Sequence, residues 1–153
     1  MSEGLPEGVV LKSLVRHKDA RGYFQELYRE SWFNMSAKQV SVSVTHPGII
    51  KAFHWHKYQT DIFCLISGKV LIGLYDLRKE SPTFGVKKAL VVDADAEPVI
   101  VSIPCKVVHG YKVLGQKDAV MLYIMDNEYN PDKPDEERIP FDDSKIGFDW
   151  SQA

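Results

Sequence analysis

Residues 48–68 read GIIKAFHWHKYQTDIFCLISG, and this stretch decides the fold. His54 and His56 stand two apart in an apolar, strand-forming context, so on a β-strand both side chains point to one face. Lys57 to Thr60 offers a turn, from which Asp61 returns on the neighbouring strand to face the same pocket. Ser67-Gly68 then permits a tight turn into the next strand. Imidazole nitrogen and carboxylate oxygen are common ligands of first-row divalent metals. A fourth ligand is available in His109.

Working outward, period-two alternation recurs along the chain. In residues 39–44, Val40, Val42 and Val44 share one face while Gln39, Ser41 and Ser43 line the other. Further strands are expected at Val9 to Val15, Gly22 to Tyr28, Ile49 to His56, Ile62 to Ile66 and Val70 to Asp76. Val86 to Val91, Pro98 to Ile103, Val107 to Val113 and Ala119 to Met125 complete the set. The breaks carry turn chemistry, as in Asp19-Ala20-Arg21-Gly22, His46-Pro47-Gly48 and Ser81-Pro82-Thr83. One short helix is expected, around Glu30 to Lys38. Many short strands at regular spacing predict an all-β fold, a sandwich, jelly roll or barrel. From residue 127 onward the chain is rich in proline and acids, and an extended tail over 127–153 is expected to wrap the body, pinned by Phe141, Phe148 and Trp150.

With 153 residues, 44% hydrophobic and 26% charged, the chain has the composition of one globular domain, which excludes disorder, collagen-like repeats and coiled coil. Nineteen basic against 21 acidic residues call for neither a nucleic-acid nor a membrane partner. The two cysteines, Cys64 and Cys105, give no disulfide framework, and no signal-peptide pattern opens the sequence. A cytoplasmic protein is the resulting expectation. Cys64, on an apolar strand, reads as a small buried hydrophobe rather than a nucleophile.

Gly48, five residues, His54-x-His56, four residues, Asp61, six residues and Gly68 together resemble the first motif of the cupin superfamily, with aspartate in place of the usual glutamate. Ile103-Pro104 through His109 resembles the second, with Lys106 where glycine is usual. A closer resemblance runs over most of the chain. Asp19 to Glu26, Gln39, Lys51 to His54, Asp76 to Gly85, Ile103 to Gly110 and Leu122-Tyr123 are similar to the dTDP-4-dehydrorhamnose 3,5-epimerase family. That resemblance implies a single cupin domain (a double-stranded β-helix, or jelly roll) over 1–153. It also implies a homodimer that exchanges N-terminal strands, and metal-free epimerisation of a nucleotide-linked 4-keto-6-deoxyhexose at C3, C5 or both.

Carried over residue by residue, His54 takes the general-base position and Tyr123 the general-acid position. Arg21, Phe24, Glu26, Gln39, Lys51 and His109 fall to substrate binding, with Lys51 where the family has a phosphate-binding arginine. Lysine keeps that charge but not the two-pronged grip. Three positions depart from the family. Its base histidine is partnered by an aspartate beyond the last tryptophan, which this sequence, ending Ser151-Gln152-Ala153, does not supply. Asp61 stands where an active-site lysine is usual, and His56 replaces a glutamine. Asp61 is therefore also the expected stand-in for the missing partner of His54. Two further functions follow from those departures. One is a metal-dependent cupin holding a divalent ion on His54, His56, Asp61 and His109. The other is a non-catalytic sugar-nucleotide binding protein.

Overall fold

The computed structural model describes residues 4–152. Twelve strands and one helical turn follow in order: β1 (Val10–Ser13), β2 (Arg16–Asp19), β3 (Gly22–Gln25), α1 (Glu30–Phe33), β4 (Gln39–Thr45), β5 (Ile50–His56), β6 (Asp61–Ser67), β7 (Lys69–Asp76), β8 (Lys87–Asp93), β9 (Val99–Ile103), β10 (Val107–Leu114), β11 (Ala119–Met125) and β12 (Glu136–Arg138). One sheet runs β1-β9-β6-β11-β4 and the other β12-β5-β10-β7-β8, while β2 and β3 form a separate two-stranded hairpin. All these pairings are antiparallel. This is the all-β jelly-roll architecture expected from the alternation.

The two sheets face each other over a core that includes Phe63 and Leu65 of β6, Ile72 and Leu74 of β7, Tyr111 and Val113 of β10, and Met121 of β11. Side chains of opposite parity point outward and are covered too. Ile62, Cys64, Ile100 and Ile124 pack with Leu14, just after β1, and with Met35, Trp32 and Phe33 of the α1 region. On the other sheet Phe53, Leu71 and Val108 pack with Ile146 and Trp150 of the tail. Both faces of β6 are therefore buried, which explains its unbroken apolar run.

Several expected boundaries move. The helix stops at Phe33 rather than Lys38, because Asn34 adopts the left-handed conformation (φ 49°) and caps it. The Tyr28 hydroxyl then bonds the Met35 carbonyl, fixing the chain in a turn. The first strand ends at Ser13 and the third at Gln25. Between them lies β2, whose polar sequence RHKD carries no alternation signal. Asp61 does not return on the strand beside β5: β5 and β6 belong to opposite sheets, so the loop 57–60 crosses the sandwich. In the C-terminal segment Glu136–Arg138 pairs with β5. Trp150 is buried and Phe148 packs against it, but the Phe141 ring is 45% exposed. It is the Phe141 backbone carbonyl that holds this region, accepting from Trp150 Nε1 at 2.9 Å.

Candidate active site

A cavity of about 740 Å³ opens between the two sheets, within the range of small-molecule sites. β4 and β11 form one wall, β5 and β10 the other, and residues 127–138 the rim. β4 inverts the usual rule of apolar residues inward. Gln39 and Ser41 line the cavity, Ser43 sits behind them, and Val40, Val42 and Val44 face outward at 56–63% exposure.

His54 and His56 lie on β5, and His109 sits directly opposite His54 on β10. The rings of His54 and His109 are 4.2 Å apart between centroids. Asp61, buried at the start of β6, meets them from the facing sheet. Its Oδ2 is 3.2 Å from Nε2 of His56, 3.2 Å from Nε2 of His109 and 3.7 Å from Nε2 of His54. Gln59 donates to the other oxygen at 2.7 Å. Burial opposes the Asp61 charge, but the three histidines that surround it more than offset that cost and hold its carboxyl well below the usual range. For His54 burial dominates and, with the neighbouring His109, lowers the ring to about 4 despite Asp61. His54 is thus neutral near pH 7. His56 is also penalised by burial, yet Asp61 and Asp135 leave it raised.

Tyr123, on β11, enters from the wall opposite His54. Phe63 touches both, with ring centroids 5.1 Å from Tyr123 and 6.3 Å from His54. The Tyr123 hydroxyl lies 3.0 Å from that of Tyr111, which in turn lies 2.9 Å from Thr45 Oγ1. Burial, then Tyr111, push the Tyr123 phenol well up, so it keeps its proton. Lys51 is at the cavity wall and donates to Ser43 at 2.7 Å. Gln39 donates to Ser41 and accepts from the Tyr129 backbone, tying the rim to β4.

Three residues expected at the site lie elsewhere in the chain. Arg21 is 90% exposed at the tip of the β2–β3 hairpin and pairs with Asp19. Phe24 is 65% exposed on the same hairpin, and Glu26 pairs with Arg29. None of them lines the cavity within one chain. Cys64 is fully buried and burial pushes its thiol up to about 12, as befits packing rather than nucleophilic chemistry.

Sequence reasoning missed Gln59, Tyr111 and Asp135. Tyr111 follows His109 by two residues, so strand parity alone placed it on the same face. Asp135 accepts from the backbone amides of Lys57, Tyr58 and Gln59, clamping the loop that carries Asp61 across the sandwich. No sequence signal links that tail carboxylate to the loop.

A sequence model of the dTDP-4-dehydrorhamnose 3,5-epimerase family matches residues 5–153. The chain is 42% identical to the spore coat polysaccharide biosynthesis protein SpsL of Bacillus subtilis strain 168, covering 95% of this chain and 96% of that protein. It is 34% identical to the probable low-salt glycan biosynthesis epimerase Agl13 of Haloferax volcanii, covering 94% and 93%. The crystal structure of a dTDP sugar isomerase from Desulfovibrio desulfuricans G20 superposes with a TM-score of 0.88 at 26% identity, covering 97% of this chain and 94% of that one. Motifs, sandwich and polar-walled cavity thus agree with a match that spans nearly every residue, and the chain belongs to the dTDP-4-dehydrorhamnose 3,5-epimerase family.

Proposed function

We propose that this protein epimerises a nucleotide-linked 4-keto-6-deoxyhexose, the nucleotide being dTDP, in the synthesis of a polysaccharide. The observation that carries this reading is the placement of His54 and Tyr123 on opposite sheets of one cavity. A sugar held between them has a base on one face and an acid on the other. Neutral His54 takes the proton from the carbon next to the ketone, and the bond's electron pair moves onto the ketone oxygen as an enolate. Tyr123 then protonates the same carbon from the far side as the carbonyl re-forms, which inverts the centre. Exchange with solvent returns a proton to Tyr123 and removes one from His54. Asp61 orients His54, and Gln39, Lys51 and His109 contact the substrate.

The assembly that fits this reading is a homodimer. An isolated two-stranded hairpin is marginal in water, yet β2–β3 stands apart from both sheets and exposes Tyr23 and Phe24. Docked on a second copy, it would bring Arg21, Phe24 and Glu26 to the partner's cavity, where Arg21 can reach a phosphate. The two unpaired cysteines fit a reducing, cytoplasmic setting. Among the described residues no helix is long and apolar enough to cross a membrane.

The test is proton NMR of dTDP-4-keto-6-deoxyglucose in D₂O with chelator-treated protein. The C3 or C5 signal should disappear at a rate proportional to enzyme, and His54→Ala should slow it by about 10²-fold or more. Tyr123→Phe should retain exchange at the His54 face while losing inversion. Absence of exchange by folded, concentrated wild-type protein overturns the proposal.

A further inference from the structure

The convergence of three histidines on one carboxylate oxygen demands more than an orienting contact. His109 Nδ1 lies 2.8 Å from the Val107 carbonyl, which can only accept, so Nδ1 carries the ring proton. In the neutral ring Nε2 then bears a lone pair, and it points at Asp61 Oδ2 from 3.2 Å. The same oxygen faces Nε2 of His56 and of His54. Two lone-pair groups face to face repel unless something positive lies between them. One oxygen shared by three ring nitrogens is better matched to a cation than to a set of protons.

We propose that His54, His56, Asp61 and His109 bind one divalent first-row transition metal ion. The four ligand atoms all lie within 4.8 Å of one another. Bonds of about 2.0–2.1 Å give ligand–ligand separations of about 3.3 Å in a tetrahedron and up to about 4.2 Å across an octahedron. The Asp61–histidine separations of 3.2 and 3.7 Å match this spacing to within about 0.4 Å, and ligand atoms as far as 4.8 Å apart close by about 0.6 Å around the ion. Three imidazoles and one carboxylate suit zinc, iron, cobalt or nickel rather than calcium or magnesium, which prefer all-oxygen shells.

The surroundings are those of a built site. Val107 fixes the His109 tautomer, and Gln59 occupies Asp61 Oδ1 while leaving Oδ2 for the ion. His56 Nδ1 is buried without a hydrogen-bond partner among the described residues, with Asp135 at 4.0 Å. Of the four side chains only His54 is appreciably exposed, at 21%, so the open side of the ion faces the sugar cavity. There an ion can accept an oxygen of a bound sugar, as sites with an open position do. This site stands apart from the role given above to His54. A ring that holds an ion through Nε2 keeps its proton on Nδ1 and has no lone pair for a substrate proton, so the two states exclude each other.

The test uses the full chain, stripped with a strong chelator and titrated with Co(II). Visible ligand-field bands should grow to one equivalent and be abolished by Zn(II). His56→Gln and Asp61→Asn, with folding checked by circular dichroism, should each weaken binding by at least about 10-fold. Cobalt saturation should also suppress the deuterium exchange that the stripped protein supports. No bands in folded wild-type protein, or bands unchanged in both variants, overturn the metal site. Exchange without cobalt binding sinks only the metal, and cobalt binding without exchange sinks only the epimerase reading.

Discussion

Asp76 is fully buried, and its carboxylate closes the loop between β7 and β8. Oδ1 accepts from the Arg78 backbone amide at 2.9 Å and from its Nε at 2.8 Å; Oδ2 accepts from Arg78 Nη2, Ser81 Oγ and Thr83 Oγ1 at 2.8, 2.7 and 2.6 Å. Burial favours the protonated acid, but these donors outweigh it, and the carboxyl titrates well below the usual range. The folded protein therefore binds this proton less readily than the unfolded chain, whose aspartates titrate near about 3.9. The stabilisation is complete above that value and drains away as pH falls through it toward the folded pKa. Asp76→Asn should cost about 3 kcal/mol at pH 7, since it leaves Arg78 without its charged partner. Urea midpoints at pH 7 and at pH 3.5 give the check. The gap between wild type and variant should be wide at pH 7 and narrower in acid, and equal midpoints at pH 7 would refute the assignment.

At the scale of elements, the histidine cluster exists because β5 and β10 approach closely. Gly110 makes that possible: a Cβ there would fall 2.4 Å from Ala52 Cβ and 2.6 Å from the Lys51 carbonyl oxygen. The register between the strands also shifts between His109 and Tyr111. Gly110→Ala should push the strands apart and cost about 1–3 kcal/mol. It should also impair whatever chemistry His54 and His109 share, whereas an alanine at Gly115, with open space around it, should spare the site. Thermal unfolding together with deuterium exchange tests this, and a stable, fully active Gly110→Ala protein would contradict it. Strand parity in the sequence already put His54 and His56 on one face, and alternation located most of the strands. Two kinds of information were not local enough to be read. The direction of β4 depends on a polar cavity that only the assembled sandwich creates, so its valines face out. The positions of Asp61 and β12 depend on which sheet receives them: Asp61 arrives from the facing sheet, and the polar Glu136–Arg138 becomes a strand only by pairing with β5.

The whole molecule presents an unfinished surface. β4 is an edge strand, and Val40, Val42 and Val44 form an apolar stripe along its outer face. Exposed apolar edges are liabilities unless something covers them. The hairpin β2–β3 adds Tyr23 and Phe24, and Val15 just before it a third apolar side chain, all more than half exposed. The proposed second copy would satisfy both features at once, covering the valines and seating the hairpin against a neighbour. On the proposed reading it would also carry Arg21, Phe24 and Glu26 to a cavity they do not reach in their own chain. Sedimentation equilibrium should give twice the 17.4 kDa of the chain. Val42→Arg places a charge in the stripe without touching the inner core, so it should yield a folded monomer. Arg21→Ala should leave the dimer intact and weaken dTDP binding by roughly 10-fold, as the loss of one charge-assisted contact does. A wild-type monomer would remove the partner from the site. A dimer that survives Val42→Arg would move the interface away from β4, and unchanged dTDP affinity in Arg21→Ala would leave the hairpin a purely structural role.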